Sequence, residues 1–192
     1  MTGKGSLNHN SRKFHAKNTD PNRTHWNVEY CNEDIKDVYH ELFDDALKRY
    51  NDKQTRKDRK IDDYYEKIRS GKQEKLFHEV ILQIGDKDNM GSETMEGQLA
   101  AKILDEYMKG FQERNPTLRV FAAHLHLDEA TPHLHIDFIP YVAGSKRGLD
   151  TRVSLKQALS SLGFKGGSRS ETELNQWVQS EKEKFSHGHE GK

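Results

Sequence analysis

"RVFAAHLHLDEATPHLHIDFIPYV", residues 119–142, reads as two β-strands joined by the short polar connection DEATP. Alternate side chains of a strand share a face. In the second strand His133, His135 and Asp137 therefore project one way, and Leu134, Ile136 and Phe138 the other. In the first, His124 and His126 oppose Phe121, Ala123, Leu125 and Leu127. Pairing the strands so that both apolar faces coincide sets the imidazoles against one another on the other side. His126 then lies across from His133 or from His135, a register the sequence leaves open. Three convergent neutral imidazoles form a divalent-metal site with open positions for water or substrate. Asp128 and Glu129, in the connection, are placed to orient a ligand or hold a water. His124 has the right side but reads as an outer or unrelated group. The bland alternative is a row of histidines on a wet sheet face, and three at strand spacing across one hairpin favour the metal.

Working outward, "KLFHEVILQIG" before the hairpin is β-branched, apolar and bounded by Gly85, so it predicts a buried strand. Between the two, helical spacing from Ser92 puts Met95, Leu99, Ile103, Tyr107 and Phe111 on one face of a helix that ends before Pro116. Further upstream a helix starts near Asn32 and carries Ile35, Val38, Leu42, Ala46 or Leu47, and Tyr50. The charged run from Asn51 to Arg59 interrupts it. Ile61, Tyr64, Tyr65 and Ile68 then resume the stripe, and Gly71 stops it. The first 33 residues are polar, with a turn at Asp20-Pro21-Asn22 and a short strand around His25 to Tyr30. After Gly144 the chain turns basic. Ser154 with Gln157, and Ser170 with Glu173, make capping boxes for two helices, the second burying Leu174, Trp177 and Val178. The order of elements indicates an α+β fold, a central antiparallel sheet with helices packed on the face opposite the metal site.

A chain of 192 residues suits one domain. Its 31 basic and 31 acidic side chains cancel, which excludes global attraction to nucleic acid or membrane. A polyanion must be held by local clusters, and three stretches qualify: Arg12, Lys13, Lys17 and Arg23; Lys53 to Lys60; and Lys165 with Arg169. Each alone reads as solvated surface. No apolar run approaches a membrane span, and no signal peptide precedes the chain. The single cysteine, Cys31, excludes an internal disulfide framework and reads as a passive thiol in a reducing compartment, so a cytoplasmic location is expected.

The ordered combination of "NHNSRKF" (8–14), "NTDPNRTHWN" (18–27), "HLDEATPHLH" (126–135) and "GLDTRVSLKQALSSLGFKGGSRSETELNQWVQSEKE" (148–183) resembles the MobV, or Pre/Mob, relaxases of the HUH endonuclease superfamily, with Leu134 as the hydrophobic residue between the paired histidines. The resemblance covers most of the chain. It implies the HUH relaxase sheet and a DNA cleft on its histidine face. It also implies strand-specific nicking of plasmid or mobile-element DNA at an origin of transfer, with the protein left on the 5′ phosphate and conjugative mobilisation begun. By position, His126, His133 and His135 would bind Mn²⁺ or Mg²⁺, and Glu129 would support them. His9 would be the nucleophile, with Arg12 as its phosphate-binding partner. Only eight residues precede His9, so the edge strand before this motif is expected to be shortened or missing. Residues 1–192 are expected to form one relaxase catalytic domain, lacking the accessory C-terminal region of the family. Origin DNA, as single strand and hairpin, is the expected partner, together with accessory mobilisation or coupling proteins and no membrane.

The proposed attack uses a ring nitrogen of His9 and gives a phosphoramidate and a free 3′ hydroxyl. An imidazole offers that lone pair at neutral pH, unlike a tyrosine hydroxyl of pKa about 10. Among the tyrosines, Tyr64 and Tyr65 sit on a helical stripe, and Tyr141, on the histidine face of the second hairpin strand, is the best alternative nucleophile. Arg12, Lys13, Arg23, Lys146, Arg147, Arg152, Lys165 and Arg169 are the candidate DNA contacts, with Phe14 and Trp26 as stacking surfaces. Two other readings compete: a metal-dependent phosphoester hydrolase without a covalent intermediate, in which Glu129 assists a water, and a non-catalytic origin-binding module.

Overall fold

The computed structural model describes residues 2–3, 6–14, 16–86 and 88–187. The hairpin is its centre. Strands β4 (Leu118–His126) and β5 (His133–Val142) pair antiparallel, and the register sets His126 across from His133 and His124 across from His135. Around them β1 (Thr2–Gly3), β2 (Val28–Asn32) and β3 (His78–Gln83) complete an antiparallel sheet in the order β1-β3-β5-β4-β2, and β6 (Arg152–Val153) pairs with the far end of β5. The edge strand before the N-terminal histidine motif is thus present and short. The expected strand near His25 begins later, at Val28, because Thr24–Trp26 forms a 3₁₀ turn.

Seven helices cover this sheet among the described residues: α1 (Leu7–Asn10), α2 (Ile35–Asp52), α3 (Tyr64–Ser70), α4 (Met95–Lys109), α5 (Phe111–Arg114), α6 (Leu155–Ser161) and α7 (Glu173–His187). Helices α4 to α7 close the face opposite the histidines. Leu104, Tyr107, Met108, Phe111, Ala158, Leu159 and Trp177 pack there on Val80, Ala123, Leu125, Leu134, Ile136 and Phe138. Helices α2 and α3 pack on the histidine face, further along the strands, where Val38, Tyr39, Phe43, Ala46 and Tyr64 meet Phe121, Ala122 and Ile139. At the hairpin end of that face α1 lies over the histidines, with a cleft beside it.

Phe121 departs from strict alternation. A bulge between Val120 and Ala122 adds one residue to β4, and Phe121 joins the α2–α3 core rather than the one beneath Leu125. The α4 stripe also differs from expectation. Ala100, Leu104, Tyr107 and Met108 face the sheet, whereas Met95 is 84% and Leu99 60% exposed. Gly97 fixes that rotation: a β-carbon there would lie 1.9 Å from the Gly91 carbonyl oxygen, so the helix start packs directly on backbone. Asp34, Asp63, Thr94 and Ser154 cap α2, α3, α4 and α6 through side-chain oxygens. At α7 the cap is Thr172, whose hydroxyl accepts from the Asn175 N–H at 3.2 Å, in place of the expected Ser170. Among the described residues no helix is long and apolar enough to cross a membrane.

Candidate metal centre

The register brings His126, His133 and His135 together with ring centroids 4.8 to 5.1 Å apart. All three are buried, and one ligating nitrogen from each lies within 4.8 Å of the others. Each ring has one nitrogen engaged by a fixed acceptor. His135 Nδ1 meets Glu79 Oε1 at 2.7 Å, His133 Nδ1 meets the Thr131 carbonyl at 2.9 Å, and His126 Nε2 meets the Asn10 carbonyl at 2.8 Å. An acceptor on one nitrogen places the proton there and leaves the lone pair on the other. The free lone pairs are therefore on His135 Nε2, His133 Nε2 and His126 Nδ1. His135 Nε2 is buried without any hydrogen-bond partner, and the other two nitrogens face each other at 3.3 Å. Two facing lone pairs beside an orphaned third suit a shared cation, and the all-imidazole donor set suits a divalent transition metal. Burial favours the neutral form of His126 and His133, as ligation requires. It lowers His133 below the usual imidazole range and, helped by the nearby Arg12 charge and the neighbouring rings, takes His126 down to about 2.

Beneath the rings lies a polar cluster. Glu79, on β3, accepts from His135 and from the Asn10 amide at 2.8 Å. Burial works against its charge, and these two donors outweigh burial and lower its pKa. Asp137, fully buried, takes a second Asn10 bond at 3.2 Å, but burial and the Glu79 charge push its carboxyl up to about 7. His124 stands outside, its Nε2 3.2 Å from Glu29 and its ring 6.1 Å from that of His126.

Above the rings sits the N-terminal segment. Helix α1 ends in a Schellman turn, in which the Lys13 N–H reaches the Asn8 carbonyl and the Arg12 N–H reaches that of His9, both at 3.0 Å. Arg12 occupies the left-handed position, φ +52°, where glycine is usual. That geometry swings its guanidinium onto the hairpin connection, where Nε and Nη2 grip Asp128 at 2.9 and 2.5 Å and Nη2 also reaches Glu129 at 2.9 Å. Burial of Asp128 opposes its ionisation, and the Arg12 fork with Asn27 and Thr24 overrides it, holding the carboxyl at about 2. His9 then lies with its ring centroid 6.0 Å from His126 and 6.4 Å from His135, and its Nε2 is 3.3 Å from both Glu129 Oε1 and Arg12 Nη1. His9, Ile81, Gln83, Glu129, His133 and His135 line an open cleft of about 290 Å³.

The structure thus gathers His9, Arg12, Glu129 and the three histidines at one place. The Arg12 side chain is only 8% exposed and already paired with two carboxylates, which gives it the geometry of a positioning group. Lys13 is exposed on the same segment, beside Phe14, which is 50% exposed and packs on the His9 ring at 5.9 Å. Arg23 pairs with Asp20 and reaches the Leu127 carbonyl. Lys146, Arg147 and Arg152 lie at the far end of β5, and Lys165 and Arg169 on the α6–α7 connection, whose Phe164 packs on the core of the opposite face. Tyr141, the alternative nucleophile, is not brought to the histidine cluster. It lies six residues, about 20 Å, along β5 from His135, with its hydroxyl on the Pro116 carbonyl. Asn10 and Glu79 were missed. Glu79 carries a weak signal, a lone acid inside an apolar strand, while Asn10 has none beyond its place in the N-terminal motif.

The family model Mob_Pre, described as plasmid recombination enzyme, matches residues 5–191. Among solved structures, the Mn-bound MobM relaxase domain (MOBV; Mob_Pre) in complex with 22-nucleotide plasmid pMV158 oriT DNA, crystallised at pH 5.5, aligns with a TM-score of 0.52 at 25% identity, over 95% of this chain and 78% of that one. The same complex at pH 4.6 aligns with a TM-score of 0.46 at 22% identity over the same shares. A search of curated proteins returns no significant match. A family match over nearly the whole length, on a sheet that converges three histidines at the motif expected to bind metal, makes this chain a member of the Mob_Pre plasmid recombination enzymes, the MobV relaxases.

Proposed function

We propose that this protein nicks one strand of plasmid or mobile-element DNA at an origin of transfer by transesterification onto His9, and so begins conjugative mobilisation. The observation that carries the reading is the placement of His9. Its ring comes from 117 positions away in sequence to lie beside the metal histidines and Glu129, in an open cleft. A ring nitrogen of His9 attacks the scissile phosphorus. The P–N bond forms as the P–O3′ bond breaks, the other ring nitrogen gives up its proton to solvent, and the leaving oxygen takes a proton from water. The 5′ phosphate stays on the protein as a phosphoramidate, whose high transfer potential permits later rejoining. His126, His133 and His135 would hold Mn²⁺ or Mg²⁺, and the bound ion supplies Lewis-acid charge withdrawal from the non-bridging oxygens. Manganese in the related MobM structure supports that choice. Glu129 steadies the His9 ring, and Arg12 fixes Glu129 and Asp128 in turn.

The substrate enters as a single strand, with Lys13 and Phe14 at the cleft mouth as phosphate contact and stacking surface. The DNA bound to the related MobM domain supports this substrate class. Arg23, Lys165 and Arg169 serve as backbone contacts outside the cleft, and accessory or coupling proteins join at the origin. The 192 residues act as one catalytic module in the cytoplasm, where plasmid DNA resides and the Cys31 thiol stays reduced. The test is an adduct assay with labelled single-stranded origin DNA and Mn²⁺. The expected result is a protein–DNA band that is lost with chelator, lost in His9→Ala, and labile to acid. An acid-stable band retained in His9→Ala removes His9 from the role. Product without any adduct indicates hydrolysis, and binding without nicking indicates an origin-binding module.

A further inference from the structure

The attack on phosphorus uses no side chain of residues 18–27, NTDPNRTHWN, yet this stretch is bonded to the hairpin connection along its length. Asp20 curls it, its carboxylate accepting from the Asn22 N–H at 2.9 Å and from Arg23 Nε at 3.1 Å. The curl then meets the connection residue by residue. Asn27 Oδ1 accepts from the N–H groups of Leu127 and Asp128, at 2.7 and 3.1 Å. The Asp20 N–H donates to the Asp128 carbonyl at 2.7 Å, and the Thr24 hydroxyl to the Asp128 carboxylate at 3.2 Å. Asn18 closes the set, its Nδ2 donating to Glu129 Oε2 at 2.7 Å.

These bonds differ in what they hold. Those of Asp20, Thr24 and Asn27 end on backbone or on the fully buried Asp128, so they fix the course of the chain. That of Asn18 ends on the carboxylate that faces the cleft, and Asn18 is itself exposed on the cleft wall. Arg12 competes for the same carboxylate. Its Nη2 lies 2.9 Å from Glu129 Oε1, and its Nη1 points at the His9 ring nitrogen, 3.3 Å away. A guanidinium edge of this kind takes both oxygens of a carboxylate when both are free. With Oε2 held by Asn18, only Oε1 is left to Arg12. It stays 3.3 Å from His9 Nε2 and 3.8 Å from His133 Nε2.

We propose that Asn18 is a positioning residue for the nicking reaction: by occupying Glu129 Oε2 it keeps Oε1 against the His9 ring. The inference rests on the nicking reading above. Without Asn18 the carboxylate turns to give both oxygens to Nη1 and Nη2 of Arg12, and the His9 ring loses the contact that steadies it. Asn18 is exposed, so truncating it removes no core packing and the variant folds.

The experiment compares wild type with Asn18→Ala, Glu129→Ala and the double variant. One readout is single-turnover adduct formation on labelled single-stranded origin DNA with Mn²⁺. The other is NMR of the imidazole ring nitrogens in the DNA-free, metal-free protein, with the His9 signals assigned by their loss in His9→Ala. Asn18→Ala should slow adduct formation about tenfold, the lower end for a hydrogen bond to a charged group, with oligonucleotide affinity unchanged. In the Glu129→Ala background the same substitution should cost no more than about twofold, since a residue acting through Glu129 has nothing left to hold. The His9 ring signals should move in Asn18→Ala in the direction they take in Glu129→Ala, a change that a general loss of stability would not give. An equal rate loss in both backgrounds, a fall in DNA affinity at unchanged rate, or His9 signals that stay in place would each overturn the inference. The ring signals do not depend on nicking. If they move while the wild type forms no adduct, Asn18 keeps its hold on Glu129 and the nicking reading falls instead.

Discussion

Replacing Asp137 by asparagine should remove a pH dependence that the native protein carries through the neutral range. The Asp137 carboxyl is fully buried on β5, opposite the ionised Glu79 of β3. Burial first, and the Glu79 charge second, raise it to about 7 against the single Asn10 bond. In the unfolded chain it titrates near 3.9. Between those two values the folded state keeps a proton that the unfolded state has released, so stability falls as pH rises. The contribution is complete below about pH 4 and is lost as pH climbs through about 7. From pH 5.5 to 8 the loss amounts to about 2 kcal/mol, since the unfolded group stays ionised throughout while the folded one gives up its proton. Asparagine keeps the shape and cannot ionise. Urea unfolding of both proteins at the two pH values, with chelator present so that no divalent ion contributes, should show the wild type losing about 2 kcal/mol relative to the variant. If the two proteins keep a constant difference, to within about 0.3 kcal/mol, Asp137 is not the proton holder and the account of this buried cluster is wrong.

Asn10→Ala should slow adduct formation about tenfold to a hundredfold while changing Mn²⁺ affinity by no more than a few-fold. The amide donates to Glu79 and Asp137 and contacts no ligating nitrogen, and a hydrogen bond to a charged group is worth about 1.5–3 kcal/mol. Single-turnover kinetics beside a metal titration separates the two, and an equal loss in both would show a structural rather than a positioning role. Asp128→Ala should lower the unfolding free energy by about 3 kcal/mol, because it strands the Arg12 guanidinium that now forks onto it. Denaturant midpoints check this, and a loss below about 1 kcal/mol would mean that Arg12 finds Glu129 sufficient.

The sheet core and the histidine cluster were legible because both depend on the period of two along a strand. The strict alternation of Leu134, Ile136 and Phe138 with His133, His135 and Asp137 fixes which residues share a face whatever the register. Register itself was not legible, since both pairings bury the same apolar set. Phe121 was misplaced because a bulge is one extra residue that no local propensity announces. On α4 the apolar residues run round more than half the helix, so spacing alone permitted the Met95–Leu99 stripe. The choice of Ala100 and Leu104 was made by the contact of Gly97 on Gly91, a tertiary fact. Glu79 and Asn10 escaped for a similar reason. Each acts through a partner more than fifty positions away, and neither has a spacing rule to betray it.

The N-terminal segment shows why the site has to be read as one object. Helix α1 has four residues, far too few to hold a helix on its own, since nucleation of a single turn is unfavourable in water. What fixes it is tertiary. The Asn10 carbonyl accepts from His126, the Asn10 amide binds the carboxylate that orients His135, and Arg12 binds the connection between the two histidine strands. The same bonds that choose the tautomers of His126 and His135 therefore place His9 over them. Placement of His9 and orientation of the His126 and His135 rings share their hydrogen bonds, so a change that turns either ring must also move His9. A flexible terminal histidine, the reading its sequence neighbourhood alone would suggest, becomes a positioned group only because the hairpin supplies the acceptors and donors that α1 lacks.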